Sequence, residues 1–89
     1  MENLFFDVVF IGTNGIYEQS GFFTSNELEA STKSLAMKHA RISYVVSDST
    51  KFNQLRPVKF ASLNEATIIT DNISNFDTSK IKYILTNPK

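Results

Sequence analysis

Three short apolar runs, each stopped abruptly by a small polar cluster, constrain this chain more than any other feature of its sequence. Leu4 to Ile11 (LFFDVVFI) is interrupted only by Asp7 and ends at Gly12-Thr13-Asn14-Gly15. Ile42 to Ser47 (ISYVVS) ends at Asp48-Ser49-Thr50-Lys51, and Ala66 to Thr70 (ATIIT) ends at Asp71. Runs of this length, rich in β-branched and aromatic residues, read as strands. The first, nearly continuous in apolar character, predicts a strand covered on both faces, as in a parallel sheet.

Between the first two runs, Thr24-Ser25-Asn26-Glu27 offers a helix start, with Thr24 and Glu27 at capping-box spacing and Asn26 as the other candidate cap. The helix is expected to reach about Ala40, since neither Gly nor Pro falls inside it. Ala30, Lys33, Met37 and Ala40 recur on one face, with Leu35 and Ala36 beside it. Ile16 to Phe23 reads as a connector turning at Gly21. Pro57 to Leu63 reads as a short edge strand, with Pro57 suited only to its first position. Asn72 to Lys80 is a polar loop with a helical turn after Asp77, Ile81 to Thr86 is a last strand, and Asn87-Pro88-Lys89 is a tail.

Strand, helix and strand in that order predict a βαβ unit with a parallel pair, and hence an α/β fold with a mostly parallel sheet. Ligands of open α/β sheets bind beyond the carboxyl ends of the strands. If the three runs are parallel, Gly12–Gly15, Asp48–Lys51 and Thr70-Asp71 gather at one edge of the sheet. That edge is the candidate site.

Composition removes several alternatives. At 89 residues, the chain is one domain or part of one. Nine basic and nine acidic residues cancel, with no basic run to neutralise duplex phosphates, so these residues are not a DNA reader. The absence of cysteine excludes disulfides, thiolate catalysis and Cys-based zinc sites. The single histidine, His39, cannot build a metal site alone and is placed near a helix C-terminus. No cofactor or metal is expected. No window approaches the roughly 18 apolar residues of a membrane span. Met1-Glu2-Asn3 lacks the basic region of a signal peptide, so a cytoplasmic protein is expected.

Each candidate residue has a functional and a structural reading. Gly12-Thr13-Asn14-Gly15 either offers backbone amides to an anion or is a tight turn, and it matches no phosphate-loop fingerprint. Lys33 sits on the inward stripe of the helix. It either holds a phosphate or carboxylate as a point charge, or snorkels, or pairs with Glu29 one turn away. Asp48, Ser49, Thr50 and Lys51 place a carboxylate, two hydroxyls and an ammonium at a strand end, for a sugar phosphate or for a self-satisfied turn. Asp71 has the same two readings. Phe22, Phe23 and Phe52 read as packing residues.

FDVVFIGTNGI (Phe6–Ile16), GFFTSNELEASTK (Gly21–Lys33), VVSDSTKF (Val45–Phe52) and IITD (Ile68–Asp71), in this order, resemble the C-terminal domain of the DeoR family of bacterial transcriptional regulators. The resemblance implies a winged helix-turn-helix followed by a sensor domain that binds a phosphorylated sugar. It further implies a three-layer α/β sandwich similar to ribose-5-phosphate isomerase, repression of sugar-catabolic operons, and homo-oligomers. The effector contacts it implies fall on Gly12, Thr13, Asn14, Gly15, Lys33, Asp48, Ser49, Lys51 and Asp71. Position 50 is Thr where Ser is common. The chain matches only the C-terminal part of such a sensor, so DNA contact is expected only through a domain outside it.

The isomerase pattern carries Asp-Gly-Ala-Asp in the strand-end loop and a Glu before the helical Lys. Here those stretches read Ile11-Gly12-Thr13-Asn14 and Thr32-Lys33. Aldose–ketose isomerisation needs a carboxylate to shuttle a proton, and neither Asn14 nor Thr32 supplies one. The expectation is a sensor and not an enzyme. The rivals are an isomerase-like enzyme with Asp48 or Asp71 as base, and a purely structural oligomerisation half.

Overall fold

In the computed structural model, residues 5–18, 20–73 and 76–86 are described. The chain is α/β, built on a four-stranded parallel sheet and one helix. The sheet runs β1 (Phe6–Gly12), β4 (Ala40–Val46), β6 (Thr67–Thr70) and β7 (Lys82–Leu85), in spatial order β1-β4-β6-β7. All three pairings are parallel, with Phe10 beside Tyr44, Val45 beside Ile68 and Ile69 beside Ile84. The expected βαβ unit is therefore present as β1, α1 (Glu27–Lys38) and β4.

The crossover contains more than a connector. Residues 15–24 form a hairpin of β2 (Gly15–Tyr17) and β3 (Gly21–Thr24), and β5 (Val58–Ser62) pairs with β3 to complete a small antiparallel sheet. Gly21 lies inside β3 and not at a turn. A Cβ there would stand 2.1 Å from the Ala61 carbonyl oxygen, so close strand approach, and not a turn, demands glycine. Gly15 is glycine for the same reason, with the Gln54 carbonyl oxygen 2.1 Å from where a Cβ would be. Neither has positive φ; that conformation belongs to Asn53, at φ 65°, a residue type that tolerates the left-handed region.

The helix starts where one of the two expected caps places it. Asn26 Oδ1 accepts from the Glu29 N–H at 2.9 Å, Glu27 and Glu29 sit in the first turn, and Lys38 in the last. Thr24 is no cap; it is the last, fully buried residue of β3. The helix ends at Lys38 with His39 as its C-cap, because Ala40 already begins β4. Its inward stripe buries Ala30 and Met37.

These meet Ile11, Ile16, Phe22, Val45, Phe60 and Ile68 in one core between α1 and the two sheets. Ile16, Phe22, Val45 and Ile68 are fully buried, each worth roughly 1.5–3 kcal/mol of transfer free energy. Phe22 and Phe52 pack here as expected, with Phe52 edge-on to Phe76 at 4.9 Å, and Phe23 is buried outside this cluster. The turn after Asp77 is a 3-10 turn at Thr78–Lys80.

One expectation does not hold. β1 is covered on one face only: Ile11 is buried, while Val8 and Phe10 are exposed, Phe10 by 63%. The strand pattern that buries Ile11, Val45 and Ile68 turns Phe10, Tyr44, Val46 and Ile84 to the opposite face, where Phe10 stacks on Tyr44 at 5.4 Å. Among the described residues nothing covers that face, which is why a run that reads as two-sided is half exposed.

Candidate functional site

Because β1, β4 and β6 run the same way, their carboxyl ends lie at one edge and bring the three polar clusters together. Two bonds fasten them. The Ser49 N–H donates to Asp71 Oδ1 at 3.0 Å, joining the loop after β4 to the end of β6. Lys33 Nζ donates to the Gly12 carbonyl oxygen at 2.6 Å, joining α1 to the end of β1. The ammonium also stands 5.5 Å from the centre of the Phe60 ring, within cation–π range. Lys33 therefore snorkels toward the strand end and not toward Glu29, whose carboxylate is engaged elsewhere.

The loop after β1 is internally bonded. Thr13 is buried, its hydroxyl 2.9 Å from the Gly15 carbonyl oxygen and 3.0 Å from that of Phe23. The Asn14 N–H donates to the Phe23 carbonyl at 3.0 Å, and the Gly15 N–H faces the Thr13 hydroxyl at 3.4 Å. The amides of Asn14 and Gly15 are thus taken up by β3 and by Thr13. What the loop turns outward is Gly12, exposed and with open space where a Cβ would be, and part of the Asn14 side chain.

After β4, Asp48 caps the 3-10 turn Ser49–Lys51. Its Oδ1 accepts from the Thr50 hydroxyl and from the Thr50 N–H, the latter at 3.0 Å. The Thr50 hydroxyl above all, with the Thr50 N–H and the nearby Lys51 ammonium, holds the Asp48 carboxyl below its ordinary range, and partial loss of hydration opposes them. The turn reading of Asp48 is thereby realised through one oxygen. Lys51 is half-buried at the same turn, beside the buried Phe52. Asp71 is exposed, and its Oδ1 also meets the Thr70 hydroxyl at 3.4 Å.

All nine candidate residues therefore lie on or next to this edge, in different capacities. Gly12, Lys33, Asp48, Ser49, Lys51 and Asp71, with part of the Asn14 side chain, form its open part; Thr13 and Gly15 are buried beneath it. Sequence reasoning missed Glu29 as a member. Its Oε1 accepts from the Thr24 hydroxyl at 2.6 Å, and that hydroxyl is also 3.1 Å from the Asn14 carboxamide. The signal was the i,i+4 spacing to Lys33, which suggested a pair and hid the link to β3. An open groove of about 380 Å³ lies between α1 and β5, lined by Ala30, Ser34, Leu35, Lys38 and Phe60 among others. Among the described residues, no cluster of three or more His, Cys, Asp or Glu is placed to hold a metal ion, and no helix is long and apolar enough to cross a membrane.

Comparison with known proteins bears on this geometry. Residues 1–72 match the family described as the DeoR C-terminal sensor domain. The chain is 37% identical over 87 residues to FruR of Bacillus subtilis (strain 168), described as an uncharacterized HTH-type transcriptional regulator, across 96% of this chain and 35% of that protein. It is 39% identical over 79 residues to the HTH-type transcriptional regulator GlpR of Haloferax volcanii, across 88% of this chain and 31% of that protein. The chain thus spans about a third of the length of these relatives.

Proposed function

The chain belongs to the DeoR family of transcriptional regulators, through their C-terminal sensor domain, and from that premise we propose that its strand-end edge binds a small phosphorylated sugar or related metabolite as effector. Lys33 and Lys51 meet the anionic group, and Asp48 and Asp71 accept from ligand hydroxyls with the oxygens left over from their turn bonds. The observation that carries this reading is the gathering of three strand-end clusters, Lys51 in one of them and Lys33 reaching in from α1, at the edge where parallel α/β sheets take ligands.

The role is sensing, not turnover. Asn14 cannot ionise, and the Thr32 hydroxyl donates to the Leu28 carbonyl at 2.9 Å, so neither position of the isomerase pattern carries a base. In the intact regulator, which acts on DNA through a domain outside this chain and works in the cytoplasm as a homo-oligomer, effector binding shifts a repressor between DNA-competent and DNA-incompetent arrangements. Such a shift requires different affinity for the two states.

Lys33→Ala and Lys51→Ala in the full-length regulator test the site. Loss of induction with DNA binding kept is expected; normal induction in both variants would remove the site assignment. Incubation of the same protein with ribose 5-phosphate separates sensor from enzyme, with no interconversion expected.

A further inference from the structure

The outer face of the four-stranded sheet, turned away from α1, has no part in the proposed function. The parallel register arranges it in rows that cross the strands. One row runs Gly12, Val46, Ile69, Ile84, and the next runs Phe10, Tyr44, Thr67, Lys82. Beyond these, Val8 stands beside Ile42. Val8, Phe10, Ile42, Val46 and Ile84 are each at least 40% exposed, and Tyr44 and Ile69 are half-buried. Together they leave on the order of 500 Å² of mostly apolar surface open, at the upper end of what a monomer carries. Two such faces brought together bury about 1,000 Å², the area at which a specific protein interface begins.

The chemistry of the face suits its own copy. Strand alternation turns Asp7 and Arg41, which pair with each other at 3.8 Å, to the opposite side. Among the described residues, Lys82 is then the only charge on the face. A surface with a single charge selects no oppositely charged partner and repels its own copy little. The geometry agrees, because sheet faces stack on one another at about 10 Å with their strands nearly aligned.

From this we infer that two copies of the chain pack outer face to outer face, about a twofold axis running along the strands between β4 and β6. This rests on the homo-oligomer of the proposed function and gives it an interface; it does not depend on the effector site. The axis sets β4 over the partner's β6 and β1 over its β7. Gly12, exposed and with open space where a Cβ would be, then receives the partner's Ile84. Val46 meets the partner's Ile69, and Phe10 meets the partner's Lys82, whose stem lies along the ring. The two Lys82 side chains stay three strand spacings apart, about 14 Å. Phe10, the most exposed side chain of the face, is the anchor, as buried aromatics are in other interfaces.

The experiment is the association state of the 89-residue chain, read without ligand. Sedimentation equilibrium up to millimolar concentration is expected to reach twice the chain mass. Phe10→Glu, a change at an exposed position, is expected to weaken the dimer about thirtyfold or more, as loss of an anchor does. Leu35→Glu, on the exposed side of α1, leaves it unchanged. A second measurement needs no variant to fold. In an equal mixture of isotope-labelled and unlabelled wild type, filtered NOEs are expected between copies from Val46 to Ile69 and from the Phe10 ring to the Lys82 stem.

A monomer at every concentration overturns the proposal and leaves the face to another part of a longer polypeptide. A dimer that survives Phe10→Glu, or whose filtered contacts arise only from other surfaces, keeps the homo-oligomer and overturns this interface. Neither result bears on the effector reading, which ligand-dependent melts decide separately.

Discussion

Ser49 and Asp71, 22 residues apart in the chain, are joined by a single bond of 3.0 Å from the Ser49 N–H to Asp71 Oδ1. It holds the turn after β4 against the end of β6 and so sets where Lys51 stands. Asp71→Ala leaves the Ser49 N–H to water and is expected to cost about 1 kcal/mol, a fall in melting temperature of about 4–8 °C for a domain this size. Ligand affinity falls too, because the Lys51 turn is released. A thermal melt and a binding titration of the variant check both; an unchanged melt would mean the bond is incidental.

Asp48 gives a pH dependence with a definite sign. Its folded-state pKa lies below the ordinary value of 3.8, chiefly through the Thr50 hydroxyl. Such a group stabilises the fold above its unfolded pKa, and the contribution disappears as pH falls through the folded value. The carboxyl is exposed, so the effect on stability is small. Thr50→Val removes the largest cause, and the Asp48 titration followed by carboxyl-carbon NMR is expected to move up toward the ordinary value. A midpoint that stays low would assign the shift to Lys51 or to the Thr50 N–H instead.

The three glycines separate fold from function. Gly15→Ala and Gly21→Ala drive a methyl into backbone carbonyls at 2.1 Å and require the strands to part; each is expected to cost roughly 1–3 kcal/mol or more. Gly12→Ala meets nothing within 4 Å and needs no special φ, so its melt stays within about 0.5 kcal/mol of the parent, as surface substitutions do. If Gly12→Ala nevertheless weakens effector binding, the glycine there serves ligand approach. A large destabilisation would contradict the open space seen beside it.

Much of the architecture was readable because the parallel strands carry it locally. Each of β1, β4 and β6 is a β-branched or aromatic run with its own polar stop, and the cap signal at Asn26 together with periodicity located the helix. The β2–β3 hairpin was not readable. Its strands are three and four residues long, and the glycines that look like turn markers at Gly15 and Gly21 are there to let Gln54 and Ala61 approach from distant sequence. The exposed face of β1 was also misjudged. Continuous apolar character reports what a strand can bury, not what this stretch of chain covers.

The site was legible as a set of loops but not in its internal bonding. Thr24, read as a helix cap, is a buried strand residue. Its partner Glu29 was hidden behind a lysine one turn away, because a spacing rule cannot know that Lys33 is drawn to a strand-end carbonyl.

Whether these strand ends hold an effector is decided by a thermal melt of the chain with a panel of sugar phosphates, free sugars and inorganic phosphate. A bound effector at about 100 times its dissociation constant adds roughly 2.7 kcal/mol, a shift of about 10 °C or more at this size. Such a shift is expected for one class of sugar phosphate, with its loss in the Lys33→Ala, Lys51→Ala double variant. A cooperative melt unmoved by every compound, or a shift that the double variant keeps, would contradict it.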